Sequence, residues 1–227
     1  MGAALSLFAH IIPLAIGAAM SPTFLAMQIA VLTSGAPGSL RRGWALAAGS
    51  MVMLLLISLG GYSLLSSLPD FRTGRPSVQQ AVILALGGVT LLIAALVLRR
   101  RPRQHSEGIL TRVIDAPSPV LFGIGAARLA VNATTLALFI PALHMISNSA
   151  VAVGVKVLVF LVLFAITEIA VVGPVLIVTI MGDRATPILT KIHEAVERRS
   201  RTITLFVCAG FGLLLLVLAA DEVRQLT

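Results

Sequence analysis

Long apolar runs separated by short polar segments dominate the chain. A helix needs about 20 mostly apolar residues to cross the hydrocarbon of a bilayer. Six stretches meet or approach that length: residues 5–33, 43–65, 81–98, 120–146, 151–181 and 202–220. The first is interrupted by Ser21-Pro22, the fourth carries Pro141 near its end, and the fifth contains Pro174. Between the fifth and sixth, Thr186-Pro187 has the form of an N-cap followed by proline at the first helical position. Ile188, Ile192 and Val196 then recur every four residues, with Lys191, Glu194, Arg198 and Arg199 facing elsewhere. That pattern predicts a short amphipathic helix over about 187–199, lying on the inner membrane surface.

Composition agrees with this division. Of 227 residues, 58% are hydrophobic and 11% charged, and mean hydropathy is +1.02. Soluble domains are about a quarter charged, so a soluble enzyme is excluded. The bulk is aliphatic, with nine Phe, one Tyr and one Trp. Lipid-facing helices suit that balance better than a barrel with aromatic girdles. Cys208 is the only cysteine, so no disulfide framework or CxxC pair exists. The opening MGAALSLFAH lacks the basic region of a secretory signal and is read as mature sequence.

Net charge is +8, and its placement matters more than its size. The loops after the first, third and fifth spans carry Arg41, Arg42, Arg99, Arg100, Arg101, Arg103, Arg112, Arg184, Lys191, Arg198, Arg199 and Arg201. The alternate loops and tail carry Arg72, Arg75, Lys156 and Arg224. Twelve cations against four predict three cytoplasmic basic loops and both termini outside. The excess therefore answers to topology and anionic lipid headgroups, and nucleic acid is not expected as a partner.

Three spans followed by three place the second half upside down. The predicted fold is an all-α integral membrane protein, six transmembrane helices in a 3+3 inverted repeat, N-out and C-out. The chain forms one membrane domain with halves at about 1–98 and 118–220, joined by a basic linker at 99–117. Ile16-Gly17-Ala18-Ala19 recurs as Ile124-Gly125-Ala126-Ala127. Each copy precedes a polar or helix-weakening element, Ser21-Pro22-Thr23 in one and Asn132-Ala133-Thr134-Thr135 in the other. Irregular helices at matching positions are a hallmark of secondary transporters.

Polar groups inside these spans supply the candidate chemistry. Arg128 and Glu168 are the fully charged side chains well inside them, and each calls for a partner or a wet cavity. Counting from the cytoplasmic ends, Arg128 lies ~12 Å and Glu168 ~20 Å deep. A long guanidinium spans that difference, which predicts an Arg128–Glu168 ion pair or a shared aqueous pocket. Such a pair either pins two helices or lets Glu168 take up and release a proton under the control of Arg128. Arg128 holding an anionic headgroup is the alternative. Asn132 and Thr135 follow at successive turns beyond Arg128, placed for substrate contact or for helix-to-helix hydrogen bonds. Pro22 should crowd the Ala18 carbonyl and kink the first span beside Ser21 and Gln28, a candidate gate. Pro174, six residues after Glu168, should loosen the fifth span near the acid. His10 and His144 are given no chemistry. No nucleophile set, phosphate loop or metal-spaced cluster is present in the sequence, so no enzyme activity, cofactor or metal is expected.

These residues carry a resemblance. PLAIGAAMSPTFLAMQIAVLTSG at 13–35, then Arg41-Arg42-Gly43-Trp44 and a glycine-rich second span, resembles the LysE superfamily of small six-span exporters. GIGAARLAVNATTLALFIPALHMIS at 123–147 is similar to its glycopeptidolipid-addressing (GAP) branch, which includes sulfolipid-addressing proteins. The resemblance covers most of the chain and is strongest in the first and fourth spans. It implies a multi-pass inner-membrane protein that helps carry glycolipids, of peptidoglycolipid or sulfolipid type, to the cell surface. Its expected partners are membrane lipids, the lipid cargo, a larger lipid exporter and a second copy of the chain. Two rivals stand beside lipid export. A small-solute exporter for amino acids would need an enclosed polar pocket. An accessory subunit of a larger lipid-export machine would use the basic loops for docking.

Overall fold

The computed structural model describes residues 2–19, 21–67, 76–100, 113 and 116–224. All regular structure among them is helical. In chain order the helices are α1 (Gly2–Ala19), α2 (Pro22–Thr33), α3 (Ser39–Ser67), α4 (Pro76–Arg100), α5 (Ser118–Ala130), α6 (Ala133–Asn148), α7 (Val153–Met181) and α8 (Ala185–Arg224), with a 3-10 turn at Gly182–Arg184 before α8. Much of the linker at 99–117, including Arg101, Arg103 and Arg112, lies outside the described residues, as do Arg72 and Arg75.

Three helical segments are long and apolar enough to span a bilayer alone: Ser39–Gly61, Val153–Met181 and Thr204–Asp221. Two bent pairs, α1 with α2 at 55° and α5 with α6 at 67°, are each long and apolar enough together to be a further candidate span. The apolar part of α4, Ala81–Val97, is shorter than the other segments. The six expected stretches thus correspond to three continuous helices, two broken ones and α4. Leu86 is 63% exposed, Phe206 75% and Val217 65%. Such exposure is tolerable where hydrocarbon is the solvent, and the protein is a multi-pass membrane protein.

The packing between helices follows a regular scheme. α4 lies along α8, and α3 touches α7. α3 packs against α5 while α1 packs against α7; α4 meets α6 while α8 meets α2. The main core joins Ile11 and Leu14 of α1, Phe24 of α2, Leu54 of α3, Leu138 and Phe139 of α6, and Leu163 and Val175 of α7. Among the described residues, close approach depends on glycine at several crossings. A Cβ on Gly49 would strike the Phe122 carbonyl, and one on Gly125 would strike the Leu46 carbonyl, so α3 and α5 touch backbone to backbone. Gly88 and Gly212 do the same for α4 and α8, with a Cβ on Gly88 falling 2.8 Å from the Gly212 carbonyl oxygen.

The amphipathic segment at 187–199 is not a separate surface helix. It forms the first half of α8, which runs unbroken for 40 residues. Nothing between Arg198 and Ile203 is glycine or proline, so the helix propagates straight into the span. At 1.5 Å per residue α8 is ~60 Å long, about twice the hydrocarbon thickness. Its first turns are still anchored, because Ala185 and Leu189 are buried in the core.

Candidate functional site: two helix breaks in contact

Pro22 does more than kink the first span. α1 stops at Ala19, and α2 restarts with Pro22 as its first residue and Ser21 as N-cap, at φ −113° and ψ 88°. Proline suits that position because the N–H it lacks would have had no helical partner. The break frees the Ala18 carbonyl. The Thr135 hydroxyl donates to it across the helix interface at 2.9 Å.

The second break has no proline. α5 ends at Ala130, and α6 begins after Asn132, whose side-chain oxygen accepts from the Thr135 N–H at 3.5 Å. Asparagine is a favoured N-cap because its carbonyl satisfies an otherwise unpaired first-turn donor. The Asn132 amide nitrogen then donates to Ser21 Oγ at 3.2 Å and to Thr135 Oγ1 at 2.9 Å. Both discontinuities are therefore tied by one polar cluster of Ser21, Asn132, Thr135 and the Ala18 carbonyl. Because the helix ends between them, Arg128 and Asn132 do not share a continuous helical face, contrary to the sequence expectation. The repeated Ile-Gly-Ala-Ala strings do not register with the breaks either. Ser21 comes two residues after Ala19, whereas Asn132 comes five after Ala127.

The expected Arg128–Glu168 ion pair does not form among the described residues. Glu168 is 3% exposed, and both its carboxyl oxygens lie 3.0 Å from the Ser50 hydroxyl of α3. Glycine packing explains the change of partner. Leu121, Gly125 and Leu129 form the buried face of α5, and the contact at Gly49 and Gly125 leaves no room for a guanidinium in that seam. Arg128 is half-buried in the last turn of α5. A cation is favoured there by the helix C-terminus.

The remaining candidates separate. Gln28 is fully buried and donates through Nε2 to the Gly43 carbonyl at 3.0 Å, tying α2 to the start of α3. Its Oε1 has no hydrogen-bond partner. Pro174 is buried within α7, which continues through it from Val153 to Met181. Ser50 was missed by sequence reasoning. Its only sequence signal is a hydroxyl beside Gly49 in a glycine-bearing span. His144, set aside at first, is 3% exposed and its Nε2 lies 2.9 Å from the Asn148 amide nitrogen.

No curated protein and no solved structure matches the chain. The family model described as Sap, sulfolipid-1-addressing protein, matches residues 11–220 and so takes in both broken helices and the Ser50–Glu168 pair. The chain belongs to the Sap, sulfolipid-1-addressing protein family.

Proposed function

We propose that this protein is a secondary-transporter-like exporter that moves lipids or glycolipids from the inner membrane toward the cell surface. The observation that carries this proposal is the contact of two interrupted helices through Ser21, Asn132 and Thr135. Unwound backbone at membrane depth is tolerated only where protein or water satisfies it, and transporters use such breaks at their binding sites. The helix neighbours also support a 3+3 inverted repeat. Exchanging α1–α2, α3 and α4 for α5–α6, α7 and α8 maps α3–α5 onto α7–α1 and α4–α6 onto α8–α2. The family description names a sulfolipid, which favours lipid cargo over amino acids.

In this scheme the headgroup enters beside the breaks while the acyl chains stay in hydrocarbon. Arg128, one turn before the second break, meets the polar or anionic part of the headgroup. Glu168 carries a proton between inward and outward states. One charge moved through 100 mV supplies only ~2.3 kcal/mol. That biases a conformational equilibrium but does not extract a whole lipid, so a lateral opening suits the energetics better than a closed pore. α5 packs chiefly on α3, with Val120 and Phe122 exposed on its outer sides, as a laterally accessible helix requires.

Reconstitution tests this directly. Purified protein in vesicles should move a fluorescent anionic glycolipid between leaflets, faster with a proton gradient. Arg128→Leu should slow it and Arg128→Lys should slow it less. Absence of movement with protein alone would overturn the proposal.

A further inference from the structure

A second polar site lies far from the helix breaks. The first turns of α1 and the α6–α7 connection enclose an open cleft of about 240 Å³. Its polar rim is Ser6, His10, Asn148 and Ser149, over a floor that includes Leu7 and Met145. The loop charges put this end of the molecule outside the cell.

The hydrogen-bonding state of the rim defines what it accepts. His10 Nδ1 lies 2.7 Å from the Ser6 carbonyl. A carbonyl only accepts, so Nδ1 carries the hydrogen, and in the neutral ring Nε2 is left as an acceptor. The Asn148 amide nitrogen is 2.9 Å from His144 Nε2, which leaves its second N–H and its carbonyl oxygen for the cleft. The Ser149 hydroxyl donates to the Ile146 carbonyl at 2.7 Å, and its oxygen still accepts. Donors and acceptors are thus mixed within one small space. Among the described residues no carboxylate, lysine or arginine lines the cleft, and the nearby Lys156 amine donates to the Ser147 carbonyl at 2.7 Å.

We propose that this cleft binds a hydroxyl-bearing sugar of a glycolipid headgroup at the outer membrane–water interface. Sugars need paired donors and acceptors on their hydroxyls and an apolar surface under their C–H faces, and the rim and floor offer both. The volume is below that of sites for drug-sized ligands, which fits a single small headgroup. The hydroxyl, amide and imidazole lining suits sugar hydroxyls and leaves any sulfate or phosphate of the headgroup in the water outside the cleft. The exposed Leu5 and Val153, each 75% accessible, flank the cleft in sequence and leave the lipid's chains an apolar border. The proposal rests on the lipid-handling function above and adds to it a place where the headgroup is held at the outer face.

The test uses the full chain in phosphatidylcholine nanodiscs containing photoactivatable glucosyl diacylglycerol. Diacylglycerol and phosphatidylglycerol with the same acyl probe serve as comparisons. Labelling of the segment 145–151 should be about fivefold stronger with the glucosyl lipid for each neutral hydrogen bond its sugar makes. Asn148→Ala should reduce it about fivefold. Ala150→Trp, which fills the open cleft without removing a polar group, should abolish it, while His10→Gln, which keeps an acceptor, should retain it. Equal labelling by phosphatidylglycerol, or undiminished labelling in both Asn148→Ala and Ala150→Trp, overturns the site. Vesicle transport measured on the same preparations separates the two ideas. Transport without selective labelling overturns the cleft alone, and selective labelling without transport overturns the export mechanism alone.

Discussion

Asn132 and Ser21 are 111 residues apart in the chain, yet the Asn132 amide lies 3.2 Å from the Ser21 hydroxyl. Each marks the point where a membrane helix stops and restarts. Their contact turns two local irregularities into one polar centre, and movement of one broken helix must act on the other.

Thr135 is the strongest tie in that centre, because its hydroxyl satisfies the carbonyl that the first break sets free. Thr135→Val keeps the shape and removes both hydrogen bonds of the hydroxyl, to the Ala18 carbonyl and from the Asn132 amide. It should destabilise the protein by about 1 kcal/mol, within the range for hydrogen bonds between membrane helices, and Thr135→Ser should restore most of the loss. Unfolding in mixed detergent micelles measures both.

Contact between α3 and α5 leaves no space for a side chain at Gly125. Gly125→Ala should cost about 1–3 kcal/mol through overpacking. Gly123→Ala, on the same helix but facing open space, should be close to neutral. Thermal unfolding of the two variants gives the comparison. Equal stability would place the crossing elsewhere.

Glu168→Gln retains an oxygen that accepts from Ser50 but has no carboxyl proton to take up or release. The variant should fold and hold its stability within about 1 kcal/mol, while transport loses its acceleration by a proton gradient. Transport that still responds fully to the gradient would remove Glu168 as the coupling acid.

The loop charges predict both termini outside, and labelling tests that orientation. In a Cys208→Ser background, an impermeant maleimide added to intact cells should modify Ala150→Cys at the α6–α7 connection. It should not modify Ala36→Cys between α2 and α3 until the membrane is opened. The reverse pattern would invert the topology.

What could be read from the sequence depended on whether the cause was local. Pro22 announces its own break, since a missing N–H and a crowded carbonyl are chain-neighbour effects. The apolar runs likewise coincide with the described helices, apart from the charged first half of α8. Asn132 was harder, because asparagine inside an apolar run also suits an unbroken helix, and only its partners Ser21 and Thr135 make the cap worthwhile. The partner of Glu168 was not legible. Depth along the helices pointed to Arg128, whereas the rotation of α5 is set by the contact of Gly49 and Gly125 with backbone on the facing helix. Ser50 therefore faces the acid. For α8 the charged segment gave the right polarity and the wrong boundary, since nothing in it interrupts the helix.

The most direct measurement concerns the two breaks themselves. Ser21→Cys and Asn132→Cys, combined in the Cys208→Ser background, place two thiols where the helices meet. Oxidation should link α2 to the start of α6, stop glycolipid movement in vesicles, and release it again on reduction. A chain that forms the link and transports at its full rate would contradict a moving part at this contact, and a chain that never links would contradict the contact.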